Sequence, residues 1–272
     1  MIPARKRWGQ HFLVHAATAE RIVDAARLNE SDTAFEVGPG EGALTRILKG
    51  RAGRLLAIEI DPLRTAELQV ELAGDGRVRI FEGDVLDHSF SEWLGKAGWP
   101  GAAVLVANLP YNVATPILVA ALEEPAAIAR SIATVQKEVA LRFAARPGSE
   151  HYGYLSVRAA AFARPRILFD LPPGAFRPRP RVMSSVLELT PREPALPADL
   201  RARAIAIASL AFRSRRKTLA NALAAAGGRG PWESALAAIG KDLRSRAEVL
   251  GLDEFLALAA SPAAEALAGP TP

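Results

Sequence analysis

Asn108-Leu109-Pro110-Tyr111 follows directly on the apolar run Val104-Leu105-Val106-Ala107, so four residues with the chemistry to hold an amino-purine stand at the end of a buried strand. Asn108 offers a side-chain carbonyl, Leu109 a backbone carbonyl, Pro110 a rigid turn without a competing N–H, and Tyr111 a ring face on which a base can stack. Two acceptors aimed at one exocyclic NH2 draw its hydrogens out of the ring plane. The nitrogen lone pair then leaves conjugation and becomes nucleophilic, so the chemistry implied is methylation of an adenine amine. Alone, an Asn-x-Pro-Tyr segment is more often an ordinary turn after a strand. What distinguishes this one is what precedes it.

Three earlier strand ends carry complementary groups. Phe35-Glu36-Val37 runs into Gly38-Pro39-Gly40-Glu41-Gly42, with a helix expected from about Ala43. Glycines in such a turn, Gly38 and Gly40 first, let a ligand sit against the backbone. The G-x-G-x-G spacing is not the phosphate-cradling G-x-G-x-x-G, and Glu36 and Glu41 beside it would repel a pyrophosphate. A ligand with an ammonium and a sulfonium suits the loop better, which favours S-adenosylmethionine over a dinucleotide. The next strand ends Ala57-Ile58-Glu59-Ile60-Asp61, where Glu59 can accept from both ribose hydroxyls, and the third ends Phe81-Glu82-Gly83-Asp84, where Asp84 can accept from an adenine amine. Any one of these acids is commonly a surface residue or helix cap; four successive strand ends in this order make a site.

For those ends to meet, the strands must lie side by side. From Ala34 to about Thr190, apolar runs at Ala34–Val37, Leu55–Ile60, Val78–Phe81, Ala103–Ala107, Ile132–Val135, Ile167–Phe169 and Val182–Leu189 alternate with helical patterns, among them Thr115–Leu122 and Glu138–Ala145. This predicts a doubly wound, Rossmann-like α/β sheet with its ligand at the carboxyl ends of the strands. Three prolines between Thr190 and Pro197 mark a linker. Beyond it Leu200, Ala204, Ile207 and Ala211, then Phe212, Leu219 and Leu223, recur at helical spacing until Gly227-Gly228, and Trp232–Ile239 and Leu252–Ala259 complete a small all-α domain. The expected domains are a catalytic one over 1–190, with an N-terminal arm, and a helical one over 198–272.

Composition narrows the function classes. Half of the 272 residues are hydrophobic, enough for a real core, and there is no Cys, which excludes disulfides, a thiolate nucleophile and a Cys-based zinc site. No metal is expected. The basic opening Arg5-Lys6-Arg7 is not followed by an apolar core of signal length, and no run of about 18 apolar residues occurs, so a cytoplasmic protein without a membrane partner is expected. A formal charge of +5 favours an anionic partner. Arg213, Arg216 and Lys217 are expected on one helix face, with Arg215 pointing elsewhere, and this stripe suits RNA phosphates. Arg177, Arg179 and Arg181 alternate in an extended Pro-rich stretch that could line the same groove. For any single one of these cations, a solvated surface fits as well.

Taken in order, the motifs resemble those of the KsgA-type small-subunit rRNA adenine dimethyltransferases over nearly the full chain. The matching segments are Gly9-Gln10-His11-Phe12-Leu13, Glu36 to Thr45, Ala57-Ile58-Glu59, Glu82-Gly83-Asp84, Asn108 to Asn112 with Thr115-Pro116, Gln136-Lys137-Glu138-Val139 and Tyr152-Gly153. They continue through Pro172 to Phe176 with Pro178, Pro180 and Val182, and end at Phe212 to Leu219. The resemblance implies a class I S-adenosylmethionine-dependent methyltransferase. It would dimethylate the N6 amines of two adjacent adenosines in a hairpin loop near the 3′ end of 16S rRNA, within the small ribosomal subunit, and serve subunit biogenesis. It further implies that His11, Leu13, Gly38, Gly40, Glu59, Asp84 and Asn108 contact the cofactor, and that Tyr111 and Phe176 sandwich the flipped target adenine. His11 stands where the family's arm usually has Asn, and imidazole can still donate or accept one hydrogen bond. Met183 takes a place that is often acidic. A monomer is expected.

Three alternatives are open. An Erm-type 23S rRNA methyltransferase shares the cofactor site, although Leu109 and the Phe212–Leu219 segment point away from it. A mainly non-catalytic small-subunit assembly factor is compatible with the same residues. An oxidoreductase on the same kind of sheet is disfavoured by the loop spacing and by Glu36 and Glu41.

Overall fold

The computed structural model describes residues 10–214 and 216–267. The basic opening Arg5-Lys6-Arg7, Gly9 of the arm motif, Arg215 and the chain end from Ala268 lie outside the described residues. In chain order the first elements are β1 (Phe12–Leu13), α1 (Ala16–Ala25), β2 (Thr33–Val37), α2 (Thr45–Arg51), β3 (Arg54–Glu59), α3 (Pro62–Glu71), β4 (Val78–Glu82), α4 (Phe90–Lys96), β5 (Ala103–Asn108) and α5 (Ala114–Glu123). There follow β6 (Ile128–Gln136), α6 (Lys137–Ala144), α7 (Tyr154–Phe162), β7 (Ala163–Leu171), β8 (Phe176–Arg177), β9 (Ser184–Pro191), α8 (Ala198–Phe212), α9 (Leu219–Leu223), α10 (Arg229–Ala238) and α11 (Leu252–Ala259).

All seven strand-like runs of the sequence form strands of one sheet, in the order β4-β3-β2-β5-β6-β9-β7. Strands β4, β3, β2, β5 and β6 run parallel, and β9 is antiparallel to β6. The chain moves outward from β2 through β3 to β4, then returns to place β5 on the other side of β2. That reversal opens a crevice at the carboxyl ends of β2 and β5, the position at which a parallel sheet receives its ligand. β5 can be central because Ala103 to Ala107 is apolar without interruption and wholly buried. Helix starts are set locally: Asp61 accepts from the Leu63 amide with Pro62 in the first turn of α3, and Ser89 and Glu92 form a reciprocal capping box on α4.

The arm is pinned by a second, two-stranded sheet. Phe12 pairs with Arg177 and Leu13 with Phe176, and the Val14 amide donates to the Ala175 carbonyl at 3.0 Å. Leu13 and Phe176 are buried in the core that also holds Ile22, Leu48, Leu55 and Val106. Burial of two such side chains at about 1.5–3 kcal/mol each gives a two-residue ladder the stability it lacks by itself.

Two compact units emerge among the described residues: one up to Ala140 together with Pro165–Pro191, the other Leu141–Arg164 together with Arg192 onward. The helical unit is therefore not a continuous tail. It takes in α7, which packs on α8, and most of the Glu138–Ala145 pattern that the sequence assigns to the cover of the sheet. Within it the Tyr152 hydroxyl donates to the Leu250 carbonyl at 2.6 Å, and Ile207, Leu219, Trp232 and Phe255 are fully buried. A helical period in residues 138–145 does not say which unit the helix packs into; that is decided by contacts between distant segments.

The basic stripe needs a correction. Helix α8 ends at Phe212 and α9 begins only at Leu219, so Arg213, Arg216 and Lys217 occupy the connecting turn rather than one face of a helix. The Lys217 amide donates to the Ser214 carbonyl at 3.0 Å, Thr218 is extended, and the Leu219 amide donates to the Ser245 carbonyl at 2.8 Å. Adjacent cations repel on a helix, and Ser and Thr favour its ends, so hydrophobic spacing across the turn misled the helical expectation.

Candidate active site

A cavity opens at the strand ends. Its walls are the segments expected from the sequence: Val37, Gly38 and Gly40 after β2, Ile58 to Ile60 at β3, Gly83 to Val85 after β4, and Asn108 to Pro110 after β5, with Gln10, His11 and Phe12 of the arm across them.

The glycine loop is shaped by what lies against it. Gly38 and Gly40 have φ of +67° and +56°, and a Cβ on Gly40 would stand 2.6 Å from the Phe12 ring. Glu59, 2% exposed, holds the loop from below: one carboxylate oxygen accepts from the Gly40 amide at 2.8 Å and the other from the Asp61 amide at 2.9 Å. Burial pushes its pKa up, and these backbone donors pull against that shift. Asp84 lines the cavity and also caps the turn at Val85–Asp87, accepting from the Leu86 amide at 3.0 Å.

The electrostatic role given to Glu36 and Glu41 changes. Burial pushes the Glu36 carboxyl up to about 8, so it is largely protonated at neutral pH, and it does not line the cavity. Glu41 is paired at 3.1 Å with the buried Arg64 guanidinium, which also stands 5.1 Å from the Phe12 ring. The carboxylates that do line the cavity are Glu59 and Asp84, and no Lys or Arg is among the lining residues. Such a lining fits a ligand that carries positive charge and no phosphate, as the loop spacing implied.

At the end of β5 the Leu109 amide donates to the Thr134 carbonyl at 3.1 Å, extending the ladder one residue, and the Val113 amide donates to the Pro110 carbonyl at 3.1 Å to close the turn. Asn108 Nδ2 donates to the His11 carbonyl at 2.7 Å. A carbonyl only accepts, so this partner orients the amide and leaves Oδ1 as its acceptor. Tyr111 has two contacts that the sequence did not disclose: its hydroxyl lies 2.5 Å from Ser184 Oγ, and its ring is stacked on His11 with centroids 4.9 Å apart and planes 27° apart. Burial also pushes the Tyr111 pKa up.

Residues 1–258 match the ribosomal RNA adenine dimethylase family. The chain belongs to that family. It is 45% identical over 258 residues to the ribosomal RNA small subunit methyltransferase A of Rubrobacter xylanophilus, covering 93% of each chain, and 40% identical over 266 residues to that of Moorella thermoacetica, covering 95% of this chain and 92% of the other. Among solved structures, a dimethyladenosine transferase from Plasmodium falciparum shares the fold at a TM-score of 0.75 and 21% identity, covering 91% of this chain and 96% of that one. The 23S rRNA methyltransferase ErmE is a structural neighbour at a TM-score of 0.73 and 25% identity, covering 91% of this chain and 98% of that one. Membership of the dimethylase family makes the α/β sheet that of a class I methyltransferase and removes the oxidoreductase alternative.

The expected residues fall differently around this cavity, and Tyr111 is not among those that line it. His11, Gly38, Gly40, Glu59, Asp84, Asn108 and Leu109 come together on the cavity. Leu13 and Phe176 do not: both are buried in the core, where they are cross-strand partners. Arg177 and Arg179 are exposed and do not line the cavity. Phe12, Gln10 and Ser184 are additional neighbours of the site, brought in by the pairing of β1 with β8 and the placement of β9 beside β6. No local spacing could have singled out Ser184.

Proposed function

We propose that this chain transfers methyl groups from S-adenosylmethionine to the N6 amines of two adjacent adenosines in the 3′-terminal hairpin loop of 16S rRNA within the small ribosomal subunit. The observation that carries this reading is Asn108, its amide nitrogen donating to the His11 carbonyl and its oxygen left to accept, beside a cavity lined by two carboxylates and no Lys or Arg. The small subunit is favoured over the large because the curated relatives are named for it. No helix among the described residues is long and apolar enough to cross a membrane, and we place the enzyme in the cytoplasm, where subunits are assembled.

S-adenosylmethionine supplies an electrophilic methyl group on a sulfonium. Glu59 takes the ribose hydroxyls with the lone pairs not already engaged by Gly40 and Asp61, and Asp84 takes the cofactor's adenine amine. Oδ1 of Asn108 and the Leu109 carbonyl would hold the target amine by its hydrogens and leave its lone pair free to take the methyl group that the cofactor would supply, so that positioning provides most of the rate. A base in a stack cannot reach this position, so the adenosine is flipped and received by the face of Tyr111. Phe176, packed beside Leu13, acts from behind by anchoring the arm. The methylated amine loses its extra proton to water, and no strong base is required. Arg213, Arg216 and Lys217 in the α8–α9 turn, with Arg177 and Arg179, contact rRNA phosphates.

Radiolabelled methyl transfer to small subunits lacking the modification, followed by mapping of labelled nucleosides, tests this. Label in dimethyladenosine at two adjacent positions is expected. Label only in 23S rRNA would return the Erm-type alternative, and tight subunit binding without transfer would leave an assembly factor.

A further inference from the structure

Three contacts from separate parts of the site converge on His11. Its carbonyl receives the Asn108 amide at 2.7 Å, its Nδ1 lies 2.6 Å from the Pro178 carbonyl, and its imidazole is stacked on Tyr111 at a centroid distance of 4.9 Å. A carbonyl has no proton to give, so Nδ1 carries the hydrogen of that bond. The ring is thereby held at one edge while its flat face lies on the phenol. These are the restraints expected for a bound heteroaromatic base, met here by a residue of the protein itself.

A flipped adenine must satisfy two conditions together: its amine reaches Asn108 and the Leu109 carbonyl, and its ring stacks on Tyr111. His11 lines the cavity beside Asn108 and already covers a face of Tyr111. We propose that the His11 imidazole is a placeholder for the target base, keeping Tyr111 covered until RNA is engaged, and that adenine is admitted by displacing it. The proposal rests on the assignment of Asn108-Leu109-Pro110-Tyr111 as the amine pocket.

The structure also indicates which ring yields. Tyr111 is tied through its hydroxyl to Ser184, which is fully buried in the first position of β9. His11 precedes a strand of two residues and is only partly buried. Rotation of His11 about its own side-chain bonds breaks one stack and one hydrogen bond, whereas movement of Tyr111 would strand a buried hydroxyl. His11 is therefore a specificity-determining residue: a base enters only if it stacks on Tyr111 and bonds at Asn108 better than the imidazole does.

Steady-state methylation of unmodified small subunits by the full chain, with His11→Ala and His11→Asn alongside, decides the matter. Removing a placeholder spares the incoming base an aromatic stack, so KM for the subunit is expected to fall about three- to tenfold in His11→Ala, while kcat does not rise. His11→Asn, which retains a donor within reach of Pro178 but no ring, should move KM in the same direction. Cofactor affinity, measured separately by calorimetry with S-adenosylhomocysteine, removes any contribution of the arm to the first substrate. A KM that is unchanged or higher in both variants would overturn the proposal, because His11 would then be a permanent wall of the pocket. Loss of all turnover in variants that still melt like the parent and bind S-adenosylhomocysteine would overturn it too, by making the ring a requirement of the reaction. Failure of the parent chain itself to methylate adenosine would instead sink the amine-pocket assignment.

Discussion

The side-chain amide of Asn108 and the backbone carbonyl of His11, 97 residues apart in sequence, are joined by a 2.7 Å hydrogen bond. The arm thus sets which end of the Asn108 amide faces the reaction. Asn108→Asp places a carboxylate against the His11 carbonyl, and Asn108→Ala removes the acceptor. Both are expected to lower turnover by about 100-fold or more, the scale of a misplaced reacting group, while subunit binding persists. After a first transfer only one N–H remains on the target nitrogen, so residual activity should come with a shifted ratio of mono- to dimethyladenosine. Mass spectrometry of digested rRNA reads that ratio, and an Asn108→Ala enzyme with parental turnover and products would remove Asn108 from the mechanism.

Tyr111 and Ser184 should behave as a coupled pair. Ser184 is fully buried, so Tyr111→Phe strands its hydroxyl and Ser184→Ala strands the phenol, each costing about 1–3 kcal/mol of stability. The double substitution removes both polar groups and is expected to be less destabilising than the sum of the single ones. Urea denaturation of the four proteins measures this coupling; strict additivity would mean that the 2.5 Å contact contributes nothing. Tyr111→Ala should in addition weaken base capture by about 1–3 kcal/mol, the range for base–aromatic stacking.

Neutralising Arg213, Arg216 and Lys217 to Gln should weaken small-subunit binding and flatten its salt dependence, by about 0.7–0.9 in logarithmic slope for each phosphate that is no longer neutralised. Their place in a turn between helices gives each side chain a separate direction, so the three single substitutions are expected to contribute unequally. Filter binding across a salt series tests this, with S-adenosylmethionine affinity as the control. Parallel salt plots for parent and triple variant would return these residues to the solvated surface.

Glu36 makes stability depend on pH. Its folded carboxyl keeps a proton up to about pH 8, whereas the unfolded one releases it near the ordinary value of 4.5. Between those limits the folded state binds more protons, so stability falls as pH rises, by at most ~1.4 kcal/mol per pH unit, and the slope vanishes on either side. Glu36→Gln is neutral throughout and should remove this component, leaving the variant more stable than the parent at pH 8 relative to pH 5. Urea midpoints at those two pH values are the measurement. An unchanged difference between parent and variant would show that Glu36 is ionised in the folded protein.

Much of this protein was legible in one dimension. The alternation of apolar runs gave seven strands, and the order of Gly38, Glu59, Asp84 and Asn108 at successive strand ends foretold one cavity, because a parallel sheet brings its carboxyl ends to one edge whatever covers its faces. Other features depended on contacts between distant segments. The Asn108–His11 bond, the Tyr111–Ser184 pair and the burial of Phe176 beside Leu13 follow from the pairing of β1 with β8 and of β6 with β9. The protonated state of Glu36 and the capture of Glu41 by Arg64 follow from burial and from a partner 23 residues away. Hydrophobic period and turn chemistry are local properties that a sequence carries explicitly. Burial, side-chain orientation and charge state are properties of the surroundings, and these arise only when the chain has packed.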